Sequence, residues 1–310
     1  MAKDQEKFNA LVAALKNNEQ NTPAVQQYLT EDGTLNLKKH ALTAGDVYDL
    51  SEALKTNTHI TRIDLAENNI GPGGAQALAG VLPKTHITHI DLAKNSIGAE
   101  GAQALSGVLP KTHITRIDLS RNKIGDEGVK ALAGALLNTN ITQINLKQNQ
   151  IGDTGAAALA QALKTNTAIT QLDLSDNQID ASILKEINSY LNRNRFTALL
   201  EDIRKGQVAG TLDLSNRWLT DKEALALAEA LKVNTAITRI NLKDNYIGDA
   251  GAEALAKALA NLPNLTSINL ENNRIGKAGG KARRGLAKKL PNLKEFNLKE
   301  NQIPGPLLKK

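Results

Sequence analysis

Asp64, Asp91, Asp118 and Asp173 recur at one position of a repeated line, with Asn145 among them and Asp213 and Asn241 further along the chain. Arg62, His89, Arg116, Gln143, Gln171 and Arg239 recur two residues earlier in the same line. Carboxylates held side by side raise one another's pKa, and such pairs can do acid–base work. Here the neighbouring basic column would neutralise them, so these residue types point to a polar contact lattice on a surface and not to a catalytic dyad. His59, His86 and His113 form a further column of imidazoles. No carboxylate is spaced to complete a metal site with them, and Asn140 and Ala168 continue the column, so duplication accounts for it and no metal is expected. The chain carries no Walker loop, GxSxG elbow or HExxH helix, and its glycines fall at turns of the repeat instead of in a phosphate cradle. The reading is non-enzymatic, with no catalytic residue and no cofactor.

These columns exist only if the chain is a stack. Residues 63–70 return as 90–97, 117–124, 144–151 and 172–179, at intervals of 27 or 28, and again as 240–247, 268–275 and 296–303. Fixed-period self-similarity of this kind predicts a solenoid, in which each unit buries its apolar face against its neighbours. Within one unit, Ile63 and Leu65 alternate with Arg62, Asp64 and Ala66, the period of a short strand. Asn68 recurs as Asn95, Asn122, Asn149, Asn177, Asn245, Asn273 and Asn301, where a short amide can serve backbone groups left unpaired as the chain leaves the sheet. Gly71 suits a turn of positive φ, residues 74–82 carry helical spacing, and Pro83 and Pro110 fall where the helical pattern stops. A helix is about 10 Å across and strands lie about 4.8 Å apart, so a stack with helices on one side and strands on the other curves. The expected fold is therefore an α/β, right-handed horseshoe solenoid with parallel strands on the concave face and helices on the convex face.

The position after the ladder asparagine is Asn69, Ser96, Lys123, Gln150 and Gln178 in the first part of the chain, but Trp218, Tyr246 and Arg274 later. These three types dominate interface hot spots, so one rim of the stack is a candidate protein-binding ledge. The alternative is that Trp218 packs on a neighbouring helix and Tyr246 follows it. The strand-face residues Arg62, Asp64, His89, Arg116, Asp118 and Arg239 are the further candidates for protein contact.

Regular spacing fails once, between Asn177 and Leu212. Residues 210–220 match 33–43, and 236–240 match 59–63, at a constant offset of 177, and both starting units lack the ladder asparagine, with His40 and Arg217 in its place. The expected organisation is an N-terminal helical cap over 1–34, six repeats over 35–195, a linker helix over 196–211, and four repeats with a basic C-terminal cap over 212–310, with a kink or widening near 180–211.

The 310 residues contain no cysteine, which excludes disulfides, thiolate metal sites and cysteine-dependent ubiquitin ligation. No apolar run reaches membrane-spanning length and no secretory leader is legible, so a soluble protein is expected, cytoplasmic or delivered into a host cell. From residue 261 onward eleven Lys or Arg face three Glu, whereas the first 260 residues hold 27 basic and 29 acidic side chains. Such an end could meet nucleic acid or anionic lipid, but a terminal repeat must also expose a polar outer face, and aromatics are too few for base stacking. The solvated cap is the preferred reading, and a monomer is expected.

The units resemble the leucine-rich-repeat family in its ribonuclease-inhibitor-like subclass, whose repeats read LxxLxLxxNxIGxxGAxxLAxxL. The segments 74–79, 155–160 and 251–256 are closer still to the GALA repeats of bacterial effectors. That resemblance implies a protein-binding scaffold, and beyond it an effector that engages a host protein. GALA effectors also carry an F-box that recruits a ubiquitin-ligase adaptor, whereas residues 1–31 lack an LP-type F-box start. The repeats resemble as well those of the GTPase-activating protein for the nuclear transport GTPase, which implies regulation of a small GTPase as an alternative function.

Overall fold

The computed structural model describes residues 4–304, apart from the side chains at 282–285, 287 and 288. The chain divides into two compact units, Met1–Arg195 and Phe196–Lys310. The first opens with α1 (Gln5–Lys16) and α2 (Pro23–Gln26), then alternates β1 (Leu35–Asn36), α3 (Ala44–Leu54), β2 (Arg62–Asp64), α4 (Gly71–Val81), β3 (His89–Asp91), α5 (Gly98–Ser106), β4 (Arg116–Asp118), α6 (Gly125–Ala135), β5 (Gln143–Asn145), α7 (Asp153–Thr165) and β6 (Gln171–Asp173). A long helix, α8 (Ala181–Arg204), follows. The second unit continues with β7 (Gly210–Asp213), α9 (Asp221–Leu231), β8 (Ile237–Asn241), α10 (Asp249–Leu259), β9 (Ser267–Asn269), α11 (Lys277–Lys289) and β10 (Glu295–Asn297).

Strands β1 to β6 form one parallel sheet in chain order, and β7 to β10 form another. Register repeats without slippage in the first sheet: Ile63 faces Ile90, Ile117, Ile144 and Leu172 in turn. Each unit is thus an α/β solenoid, with the apolar strand residues and the inner helix faces closing a continuous core. At the N-terminal end, Phe8, Leu11 and Leu15 of α1 are buried against the first repeats, and Asp4 caps the helix by accepting from the Lys7 N–H.

Two expectations need correction. The helix expected over 196–211 begins instead at Ala181 and ends at Arg204. After Asp180 the chain meets no glycine turn, and Ile187 and Leu191 continue the helical apolar spacing into the first core before Leu200 and Ile203 enter the second. The second sheet also begins at Gly210, two residues before the expected Leu212. Part of the expected basic C-terminal cap, residues 305–310, lies outside the described residues.

The asparagine ladder is the device that ties repeat to repeat. Asn122, fully buried, accepts on Oδ1 from the backbone N–H of Asn95 and of Ile97 at 2.9 and 3.2 Å. Its Nδ2 donates to the carbonyls of Leu92, Leu119 and Ser120 at 2.8 to 3.1 Å. Asn68, Asn149, Asn177 and Asn245 make equivalent sets.

Helix starts come in two kinds. Gly98 and Gly125 take φ of 68° and 63° and donate their N–H to the carbonyls of Asn122 and Asn149 in the following repeat. Gly152, Gly248 and Gly276 instead have φ near −100°, as an extended cap. Their N–H groups point back to a carboxylate in the helix of the preceding repeat: Asp126 to Gly152 at 2.7 Å, Asp221 to Gly248 at 2.7 Å and Asp249 to Gly276 at 2.6 Å. Where the preceding helix offers Ala99 in place of aspartate, beside Gly128, that carboxylate is missing and the left-handed glycine takes over.

Two stability outcomes follow. Asn122→Ala should destabilise the first unit by about 3 kcal/mol, because buried N–H and C=O groups lose their partner, while Asn177→Ala, with the same bonds at a partly exposed site, should cost about 1 kcal/mol. Urea unfolding followed by circular dichroism measures both, and equal losses would rule out desolvation as the source of the cost. Asp126→Ala should cost about 2 kcal/mol in the same experiment, since the charge-assisted cap on α7 is lost.

Candidate functional site

The strands that carry the polar columns lie in separate sheets, so the column read from the sequence as Arg62, His89, Arg116, Gln143, Gln171 and Arg239 divides. The first five pair in order across β2 to β6, whereas Arg239 lies on β8 between Thr211 and Ser267. The physical reason is that β6 and β7 belong to different sheets.

The expected neutralisation of the carboxylates by the basic column also does not form. Arg62 pairs with Asp32 of the loop before β1, at 3.1 Å. Asp64, Asp91 and Asp118 instead turn their Oδ1 atoms onto the backbone N–H two residues ahead, at 2.8 to 2.9 Å, closing the turn that leaves each strand. Among the described residues none of the three has an ion-pair partner. Burial, aided by Asp118 and Asp64 on either side, pushes the Asp91 carboxyl up to about 6. One repeat further, Asn145 takes the same position and donates to Asp118 Oδ2 at 2.7 Å, so an amide interrupts the carboxylates before Asp173 resumes the column on β6. His89 is held below its ordinary value, first by burial and then by the flanking Arg62 and Arg116. Its Nδ1 lies 2.8 Å from the Thr88 hydroxyl. Beside this column, the rings of His86 and His113 stack with centroids 6.4 Å apart and planes 8° from parallel.

Arg195 is a strand-face residue that repeat spacing could not reveal, because it sits on α8. Its Nε donates to the Thr170 carbonyl at 2.8 Å, and with Arg116, Asp118, Gln143, Gln171 and Asp173 it lines a depression of about 460 Å³. A second set of amides was also missed. Asn166 and Asn234 accept from the N–H groups at the start of the following strand segment, and Asn194 of α8 donates to the carbonyls of Asn166 and Ile169. The signal was the recurrence of Asn57, Thr85, Thr112, Thr139, Asn166 and Asn234 three residues before an isoleucine or its neighbour in each repeat.

In the second unit Trp218, Tyr246 and Arg274 are all exposed, Trp218 to 66% and Tyr246 to 44%. The Arg274 guanidinium lies over the Tyr246 ring at 4.3 Å from its centroid, a cation–π contact that fixes both side chains. Trp218 has φ of 57°, an unusual conformation for so bulky a residue, imposed by the turn that follows its strand. Its exposure leaves no role for it as packing beneath a helix. The strand face of this unit holds a depression of about 740 Å³ lined by Thr211, Asp213, Arg239, Asn241, Ser267 and Glu295 among others.

Asp91→Asn keeps the acceptor for the Ala93 N–H and copies what the chain already uses at Asn145. The folded state holds the Asp91 proton more tightly than an unfolded chain with the ordinary value of 3.8, so this group's contribution is full below that value and is lost as pH rises through about 6. The melting temperature of Asp91→Asn should therefore gain on the parent protein between pH 4 and about 7. Thermal melts across that range test it, and a constant difference would refute the assignment.

No curated protein matches the chain. Solved structures similar to it include the actin-binding site 2 of leiomodin-1, at 20% identity and a TM-score of 0.41 over 64% of this chain and 96% of that one. The C-terminal domain of tropomodulin from Caenorhabditis elegans is 15% identical with a TM-score of 0.41, covering 63% and 98%. An internalin from Listeria monocytogenes is 17% identical with a TM-score of 0.33, covering 97% and 91%. The family model "Leucine Rich repeat" matches residues 56–79, 84–106, 111–133, 137–160, 165–187, 233–256 and 261–282, seven segments that together make up more than half of the chain, and on that evidence the chain belongs to the leucine-rich-repeat family.

Proposed function

We propose that this protein is a non-catalytic scaffold that captures a protein partner, with the ledge Trp218, Tyr246 and Arg274 supplying most of the affinity. The observation that carries this reading is the exposure of the chain's only tryptophan next to a tyrosine already clamped by an arginine. A large rigid side chain held in water by its own backbone costs solvation and gains nothing in the free protein, and aromatic and arginine side chains of this kind give binding energy at little entropic cost. Each unit has its own polar strand face, with Asp64, Asp91 and Asp118 without an ion-pair partner among the described residues in the first and Arg239 in the second, and these faces support a role in orientation.

The repeat wording LxxLxLxxNxIGxxGAxxLA supports a place in the ribonuclease-inhibitor-like subclass near the GALA type, and with it a bacterial effector whose partner is a host protein. Trp218→Ala with Tyr246→Ala should weaken capture of that partner by about a hundredfold, in line with the loss of two hot-spot aromatics. The same double variant should unfold in urea at nearly the parent concentration. Affinity capture from host lysate, quantified by mass spectrometry for parent and variant in parallel, gives the first readout; a partner retained equally by both would remove the ledge from the reading.

A further inference from the structure

On the helix side of the second unit, α10 and α11 leave a groove of about 760 Å³ between them. Its floor is small and apolar, made by Ala256, Ala260, Ala278 and Leu286. Around it stand Lys257 of α10 and Lys277, Lys281 and Lys289 of α11, all exposed. Two acidic side chains reach the groove, Asp249 and Glu253, but Asp249 is already committed to the N–H groups of Gly276 and Gly279 at 2.6 and 2.8 Å. Among the described residues, none of the four lysines forms an ion pair.

The charge arrangement is unfavourable to the helix that bears it. Lys277 stands in the first turn of α11, which holds no acidic residue of its own; the Asp249 carboxylate of α10, bonded to the N–H groups of Gly276 and Gly279, supplies the negative charge at that helix end. Lys277 and Lys281 are like charges four residues apart on one helix, which repel. α6 and α9 show the usual arrangement, with Asp126 and Glu127, and Asp221 and Glu223, in their first turns. An anionic partner would relieve the repulsion between Lys277 and Lys281.

We infer that the α10–α11 groove is a second docking surface, and that its occupant is an acidic amphipathic segment of another protein. An open groove with an alanine floor accommodates small apolar side chains of an amphipathic segment while lysines on its edges meet that segment's carboxylates. A nucleic acid finds no aromatic platform among the residues that line it. The surface is separate from the Trp218 ledge and does not depend on the reading given for it.

The test uses the full chain and a fluorescent peptide of about eighteen residues with glutamates along one helical face and alanine and leucine along the other. Anisotropy should show saturable binding that weakens with added salt, is absent for the peptide with glutamine in place of glutamate, and is about tenfold weaker for Lys257→Gln/Lys277→Gln/Lys281→Gln. Lys257→Gln alone should show part of that loss, and Trp218→Ala should bind as the parent does. The inference is overturned if the acidic peptide does not bind, if the lysine variants bind it unchanged, or if phosphatidylserine vesicles or a single-stranded oligonucleotide are preferred to it.

Discussion

One side-chain amide per repeat holds this architecture together. Each strand is only a few residues long, so the sheet alone offers little cooperativity, and the backbone leaves it at a turn where several N–H and C=O groups would be buried without partners. The ladder asparagine meets them with one Oδ1 facing two donors and one Nδ2 facing carbonyls of its own and the preceding repeat. Because those partners lie in the neighbouring unit, the amide converts a local turn into an inter-repeat bond. The dependence runs in one direction along the chain, each asparagine serving the repeat before it.

That direction explains where the ladder stops. His40 and Arg217 occupy the ladder position in the first repeat of each sheet, where no strand of that sheet precedes. Their own backbone N–H groups are served from behind, by Asn68 and Asn245 at 3.0 and 3.1 Å. An asparagine in either place would lack the carbonyl of a preceding repeat that the ladder amides bond, and at His40 the ring Nδ1 already lies 2.8 Å from the Lys38 carbonyl of its own repeat. The two missing asparagines are thus the chemical mark of two sheet edges.

Much of this was legible in residue spacing, and the failures share a cause. Strand, turn and helix recur because Ile63, Asn68, Gly71 and Leu78 have equivalents in unit after unit, and a repeated pattern averages away local ambiguity. Where a residue occurs once, the averaging is lost. The start of α8 at Ala181 and the hook of Arg195 onto Thr170 each depend on a single segment, and pattern gives no purchase on them. The ion pairing of Asp64, Asp91 and Asp118 was misread for another reason: spacing places side chains in columns but does not say whether a carboxylate turns outward to a guanidinium or inward to its own backbone. The inward choice wins because the N–H two residues ahead is already in place, whereas an exposed ion pair must order a long side chain for a small gain.

The same competition shows how a structural repeat can be converted to a binding surface. Positions that serve the backbone, such as the ladder asparagines, the turn aspartates and the carboxylates of Asp126, Asp221 and Asp249, have their chemistry consumed by the fold. The position just after the ladder is different: its side chain projects from the turn, bonds nothing the stack requires, and tolerates Ser96, Lys123 or Gln150 as readily as Trp218. Variation there leaves the ladder amides in place, so an aromatic and cationic run can accumulate over successive repeats. The solenoid separates the groups that must stay constant from those that can specialise, and it does so within adjacent residues of one turn.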